Sequence, residues 1–249
     1  MGMRLKITAT VTKKGILEFN HQHFLSGIIY NKLLYVNPVY ATLLHNRKGF
    51  KFFTFSWVMF SRENVKRTEQ GFLLPLGHEI WFYVSSPDKQ FIKYLLQGFL
   101  GQTSLAIGKL ECIVENVKIF DRKISKRKVL FETMSPIITT TLREENGKLK
   151  IFDLPPTEEK FYENISKNLL KKYNEFYKTN IENPTFKIEK IIWVKSKKIK
   201  YKNLFFTGYL MKFIASGSPE LLQMAYDAGL GEKNSSGFGM LKIVSRKRK

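Results

Sequence analysis

The chain is 249 residues long and carries 42 Lys and Arg against 21 Asp and Glu, a net charge of +21. That excess is the electrostatic footprint of a protein that binds nucleic acid or an anionic membrane surface. The apolar runs argue against the membrane: FKFFTFSWVMF, the densest, is broken by Thr and Ser and falls far short of the roughly 20 residues a spanning helix needs. MGMRLKITATV turns directly into an alternating strand pattern with no signal peptide, which sets a cytoplasmic expectation. Cys112 is the only cysteine, so an intramolecular disulfide and a cysteine-based zinc site are excluded, and its apolar surroundings predict a small buried side chain. With 43% hydrophobic and 14% aromatic residues the chain can bury a real core, and its length suits one large or two small domains.

In chain order, MRLKITATV reads as a strand, HQHFLSGIIYNKLL as a helix, FKFFTFSWVMF and HEIWFYVSS as strands, DKQFIKYLLQGFLG as a helix, and SLAIGKLECIVENVKIF as a strand. After the basic stretch DRKISKRK the same order recurs. It runs through VLFETMSPIITTTL, the helix EEKFYENISKNLLKKYNEFY, the strands FKIEKIIWVKS and NLFFTGYLMKFIAS, a helix opened by Pro219, and a last strand GMLKIVS. The chain is therefore predicted to be α+β: two tandem ferredoxin-like (RRM-like, βαββαβ) domains, residues 1–122 and 123–249, with a glycine-rich loop near the C-terminus. Asn146-Gly147, between VLFETMSPIITTTL and KLKIFDL, predicts a hairpin turn. The RNP1 aromatic pattern of an RRM does not occur, which argues against base stacking on the sheet.

The loop GLGEKNSSGFG holds four glycines and two serines. A dinucleotide fingerprint or a P-loop needs a strand before the glycine turn and a helix after it, whereas here a helix precedes and a strand follows. Two readings are left. The loop is either a tight helix-to-strand connection with Gly229 as C-cap, or a backbone surface that approaches a polyanion closely, with Lys233 and exposed amides as donors.

On the first helix Phe24, Leu25, Ile28, Ile29 and Leu33 cover one arc at about 100° per residue, and Tyr30 falls nearly opposite its centre, beside His23 and Gly27. Gly27, one turn earlier, leaves room for a substrate to reach the phenol. Tyr30 is then either packed against the second helical stretch NPVYATLL or reactive. His45, at the end of that stretch and just before Arg47, Lys48 and Lys51, either favours a helix C-terminus or is reactive. A phenol, an imidazole and an ammonium within so short a stretch suffice for metal-free RNA cleavage. One group takes the 2′-hydroxyl proton, one protonates the leaving 5′-oxygen, and a cation offsets charge on the phosphorane.

HQHFLSGIIYNKL, NPVYATLLHNRKGFKFFTFS, ETMSPI and above all GLGEKNSSGFGM, spread over almost the entire chain, resemble the CRISPR-associated endoribonuclease that processes precursor CRISPR RNA, the repeat-cleaving branch of the RAMP superfamily. The resemblance implies two ferredoxin-like domains and a cofactor-free, metal-independent cut leaving a 5′-hydroxyl and a 2′,3′-cyclic phosphate. The family's tyrosine, histidine and lysine fall on Tyr30, His45 and Lys51. As partners it implies CRISPR repeat RNA and precursor CRISPR RNA together with subunits of CRISPR effector complexes, the chain acting as a monomer or homodimer. An imidazole titrates near neutrality and suits the general acid; a lysine ammonium suits phosphate stabilisation. A phenol, mostly protonated at pH 7, either acts as base or orients the 2′-hydroxyl.

The expected RNA contacts are Gly229, Gly231, Lys233, Ser235, Ser236, Gly237 and Gly239 in the loop, Arg47 and Lys48 beside the reactive groups, and Lys197, Lys198 and Lys200 in the cluster Lys195 to Lys202. Arg122 to Lys128 forms a second basic cluster, and the tail Arg246 to Lys249 is expected to add only nonspecific attraction. His21 and His23 rival His45 as acid, but their place at a helix start favours a cap or surface role; His78 reads as a turn residue. Metal catalysis wants converging carboxylates, whereas Glu144, Glu145, Glu158 and Glu159 sit in a turn and at a helix start. The competing class is a non-catalytic RNA-binding scaffold subunit of a CRISPR effector.

Overall fold

The computed structural model describes residues 2–181 and 185–244. The tail Arg246 to Lys249 lies outside them. The described residues form two compact units, one of 2–122 together with Ser235–Gly237, the other of those between 123 and 234 and between 238 and 244.

The first unit runs β1 (Met3–Val11), β2 (Gly15–Glu18), α1 (Gln22–Val36), α2 (Pro38–Asn46), β3 (Thr54–Phe55), β4 (Met59–Phe60), β5 (Lys66–Arg67), β6 (Gly71–Leu74), β7 (Glu79–Ser86), α3 (Lys89–Gly101), β8 (Ser104–Ile107) and β9 (Leu110–Phe120). Its main sheet is antiparallel with the order β3-β7-β1-β9-β8, and β4 also pairs with β7; β2, β6 and β5 make a small second sheet. β1 shows the alternation of a strand covered on one face: Leu5, Ile7, Ala9 and Val11 are wholly buried. Against them and Phe82 and Val84 of β7 lie Leu25, Ile29 and Leu33 of α1 and Phe91, Leu95 and Phe99 of α3. Cys112 belongs to this core, and burial pushes its thiol up to about 12.

Two expected strands are broken. SLAIGKLECIVENVKIF folds back on itself as the β8–β9 hairpin, because Gly108 takes φ +63 in a turn that side chains rarely adopt. FKFFTFSWVMF yields only the two-residue pieces β3 and β4. Between them Val58 N–H leaves the ladder to donate to His21 Nε2 at 3.0 Å, and Ser56 Oγ accepts from Tyr83 N at 2.9 Å.

In the second unit β10 (Lys128–Thr133) is followed by β11 (Thr140–Glu145), β12 (Lys148–Asp153), α4 (Glu159–Tyr177), β13 (Phe186–Tyr201), β14 (Leu204–Gly217), α5 (Pro219–Ala228) and β15 (Leu241–Ile243). The sheet order is β13-β14-β10-β15, so here as in the first unit the first strand is internal, with the last beside it. VLFETMSPIITTTL does not stay one strand: it ends as β10 at Thr133 and resumes as β11, with Pro136, which has no N–H for a ladder, between them. β11 and β12 form the hairpin that Asn-Gly predicts, with Asn146 at φ +53 and Gly147 at φ +71. Phe161, Ile165 and Leu169 of α4 face the core with Met211, Phe213, Leu222 and Ala225.

Candidate active site

α1 ends where Pro38, unable to donate to its carbonyls, begins a new helix. Asn37 caps α2 by accepting from Tyr40 N at 2.9 Å. The Tyr40 hydroxyl donates to Asp88 Oδ2 at 2.8 Å, and the other oxygen of Asp88 caps α3 through Gln90 N and Phe91 N. Asp88 thus ties the start of α2 to the start of α3, and His45 in the last turn of α2 inherits a fixed position.

Lys51 completes the arrangement. Its ammonium donates to the His45 carbonyl oxygen at 2.7 Å, closing the end of α2, and to the Tyr30 hydroxyl oxygen at 3.2 Å. Partial burial holds its pKa below the usual lysine value. The rings of Tyr30 and His45 meet edge to face, centroids 5.2 Å apart. All three residues expected to act together therefore come together, on α1, the end of α2 and the loop beyond it. Tyr30 is half-buried, and its ring also meets Phe53 at 6.1 Å. His45 is exposed. Gly27 faces open space, with no atom within 4 Å of where its Cβ would stand. Arg47 and Lys48 are exposed nearby, Arg47 with its guanidinium 4.6 Å from the centre of the Phe52 ring.

His21 is the N-cap residue of α1 by position, but its side chain makes no capping bond and it is buried rather than on the surface. It is 6% exposed, donates through Nδ1 to the Glu18 carbonyl at 2.7 Å, and accepts at Nε2 from Val58 N. Both nitrogens are committed to a neutral ring, and burial lowers its pKa to about 4. His23 bonds the Asn20 carbonyl at 3.0 Å, and His78 sits in a turn with its Nε2 3.1 Å from the Ser61 carbonyl. Among the described residues no three His, Cys, Asp or Glu side chains converge as a metal site requires. Glu158 pairs with Arg143 and Glu145 with Lys150 instead.

The glycine-rich loop is packed from below. Gly229 is the C-cap of α5, its N–H bonded to Ala225 O. Gly231, Gly237 and Gly239 take φ +69, +87 and +72. A Cβ on Gly239 would stand 1.9 Å from the Leu230 carbonyl oxygen, and one on Gly231 2.3 Å from that of Ile138. All four glycines are buried; Lys233 is exposed, with Ser235 and Ser236 half-buried. The residue that sequence reasoning missed is Lys172. Buried to 1% exposure, its ammonium donates to Gly229 O and to Asn234 Oδ1, both at 2.7 Å, and Asn234 Nδ2 in turn donates to Leu230 O and Phe238 O at 3.0 Å. One lysine thereby holds both sides of the loop. Burial lowers its pKa to about 7. A signal was present: Lys172 continues the apolar stripe of Phe161, Ile165 and Leu169 at helical spacing.

Lys198 and Lys200 are exposed and Lys197 half-buried, all near the end of β13; the 122–128 cluster is exposed except for buried Ile124, and Lys128 pairs with Glu189.

Comparison with known proteins bears on the whole chain. Family profiles described as CRISPR-associated protein Cas6, N-terminal, and CRISPR associated protein Cas6, C-terminal, match residues 16–118 and 117–243. CRISPR-associated endoribonuclease Cas6 1 of Methanocaldococcus jannaschii is 36% identical over 98% of this chain and 94% of its own length. A solved structure of a CRISPR associated protein Cas6 superposes with a TM-score of 0.84 at 34% identity, covering 98% of this chain and 100% of that one. Another, described as an RAMP protein binding different RNA substrates, gives a TM-score of 0.84 at 28% identity with the same coverage. Matched in both halves and along nearly all of its length, the chain belongs to the Cas6 family of CRISPR-associated proteins.

Proposed function

We propose that this chain is an endoribonuclease that cuts CRISPR repeat RNA in precursor transcripts without a metal ion, and that its two units are tandem ferredoxin-like domains. The observation that carries the reading is the convergence of Tyr30, His45 and Lys51, with Lys51 Nζ 3.2 Å from the Tyr30 oxygen and the Tyr30 and His45 rings 5.2 Å apart. The 2′-oxygen of the nucleotide before the scissile bond attacks the adjacent phosphorus. Tyr30 receives or orients the 2′-hydroxyl proton, Lys51 offsets charge on the phosphorane oxygens, and the protonated ring of His45 gives its proton to the 5′-oxygen as the P–O5′ bond breaks. The products are a 2′,3′-cyclic phosphate and a 5′-hydroxyl. A cation beside the phenol oxygen favours negative charge developing there, which supports the base role of Tyr30.

RNA is held by Arg47 and Lys48, by Lys197, Lys198 and Lys200, and by Lys233, Ser235 and Ser236 of the loop. Gly229, Gly231, Gly237 and Gly239 act by giving that loop its shape.

The test is cleavage of a repeat RNA carrying one deoxynucleotide on the 5′ side of the scissile phosphate, with EDTA present throughout. The all-ribose RNA is expected to be cut and the substituted one bound equally well but left intact, because only the attacking oxygen is gone. Cutting of the deoxy RNA at the same bond would refute the chemistry. Tight binding of the all-ribose RNA without any cutting would return the chain to the scaffold class.

A further inference from the structure

The closed end of the β13–β14 hairpin extends past its neighbours, which hold β14 as far as Tyr209, in backbone pairing with Ile137, and Thr207, whose N–H donates to Asp153 Oδ2. β10 pairs with β14 only from Lys212 to Ser216, whereas β13 and β14 stay paired as far as Tyr201 and Leu204. Along this projecting end neighbouring residues alternate between two faces. One face is used by the fold: Ile199 is 2% exposed, the rings of Tyr201 and Phe206 lie 6.1 and 6.4 Å from that of Phe238, and Lys233 Nζ sits 4.8 Å from the centre of Phe206.

On the opposite face, Phe205 stands across the ladder from Lys200 with 60% of its surface exposed. The ammonium groups of Lys198 and Lys200 are 5.5 and 6.0 Å from its ring centre. A large aromatic ring in water at the tip of a projecting arm contributes nothing to a core, and two cations gathered at it do not suit the buried centre of a protein interface, where lysine is depleted. A nucleotide matches both features at once, since its base has a π face and its phosphates are anions.

We propose that Phe205 is a stacking platform for one unpaired base of the bound RNA, with Lys198 and Lys200 on the flanking phosphates. This rests on the reading of the chain as an RNA-binding protein. It adds a base contact on an arm, away from the broad sheet surface where RRM-type stacking would occur.

The experiment uses the full chain and a single-stranded repeat RNA with 2-aminopurine placed at successive positions. Stacking quenches the fluorescence of that base, so one position is expected to dim on binding to the natural protein. Phe205→Leu, which keeps the apolar bulk and loses the ring, is expected to weaken binding by about 5-fold to 150-fold, to leave the salt slope unchanged and to abolish the quench. Phe205→Trp restores both. Lys198→Gln and Lys200→Gln each flatten the dependence of log K on log salt by about 0.7. Binding by Phe205→Leu within twofold of the natural protein, or a quench that survives it, overturns the proposal. So does a change confined to self-association in sedimentation, which would make this face a contact between copies. If the natural protein does not bind the RNA at all, the underlying functional reading falls instead.

Discussion

The Tyr30–His45–Lys51 cluster and the glycine-rich loop are built in opposite ways. Around Tyr30, His45 and Lys51 the side chains are exposed or half-buried, and they are related by two hydrogen bonds donated by Lys51, the Tyr30–His45 ring contact and the Lys51 ammonium 5.4 Å from the centre of the Tyr30 ring. In the loop Gly231 and Gly239 are buried against backbone oxygens and Gly237 against the Phe55 ring, and Lys172 and Asn234 tie both of its sides from beneath. On the proposed function, groups that change protonation and meet a substrate are left accessible, while a segment that acts through its shape is held from several sides. Substitutions in the first region should therefore cost rate and leave stability nearly untouched, and those in the second should cost stability or affinity.

The sharpest way to break that contrast is at His45. His45→Ala is expected to slow single-turnover cleavage by about 10² to 10⁴, and Lys51→Ala by about 10² to 10³, with RNA affinity and unfolding midpoint almost unchanged. A variant that is slow because it has partly unfolded would show that the cluster also supports the fold.

A second test separates two buried bases by pH. His21 has a folded pKa of about 4 against an ordinary 6.5, so the folded chain binds fewer protons than the unfolded one between those values. Stability present above pH 6.5 is lost as pH falls toward 4, by on the order of 3 kcal/mol. Lys172, lowered from 10.5 to about 7, follows the same rule in a higher window: its full penalty is felt below pH 7 and is relieved as pH rises toward 10.5. An amine with two N–H groups still donates to both Gly229 O and Asn234 Oδ1, so the tie survives loss of the proton. Amide hydrogen exchange should therefore show the segments around His21 loosening in acid and the glycine-rich loop tightening between pH 7 and 10. Lys172→Met should remove the alkaline trend alone. Loosening of both regions in one pH window would show that they are not independently held.

The smallest effect is expected at Gly27, where a methyl group would meet nothing. Gly27→Ala should stabilise the first unit by about 0.5–1 kcal/mol through helix propensity. If RNA passes over this position on its way to Tyr30, the same change slows cleavage at subsaturating RNA. Unchanged cleavage would show that the substrate approaches from another side.

Much of this protein was legible as sequence because the responsible physics is local. Apolar periodicity marks α1, α3, α4 and α5, Asn146-Gly147 marks the β11–β12 hairpin, Pro38 and Pro219 mark helix starts, and the order of elements around GLGEKNSSGFG argues against a P-loop or dinucleotide fingerprint. The composition alone points to a polyanion. Local signals fail where a neighbour distant in sequence decides. FKFFTFSWVMF has the apolar content of a strand, yet His21 takes the Val58 N–H and the Ser56 hydroxyl takes the Tyr83 N–H of β7, so the pairing with β7 is interrupted between Phe55 and Met59. His21 reads as a surface histidine until Val58 closes over it, and Lys172 reads as one more solvated lysine until Gly229 and Asn234, more than fifty residues away, supply its acceptors. Tyr30, His45 and Lys51 stand on the border of the two regimes. Their residue types and proximity in the chain could be read directly, but a 3.2 Å contact between an ammonium and a phenol depends on the angle between α1 and α2 and on where the loop after α2 returns, which only packing around Asn37, Asp88 and Phe53 sets.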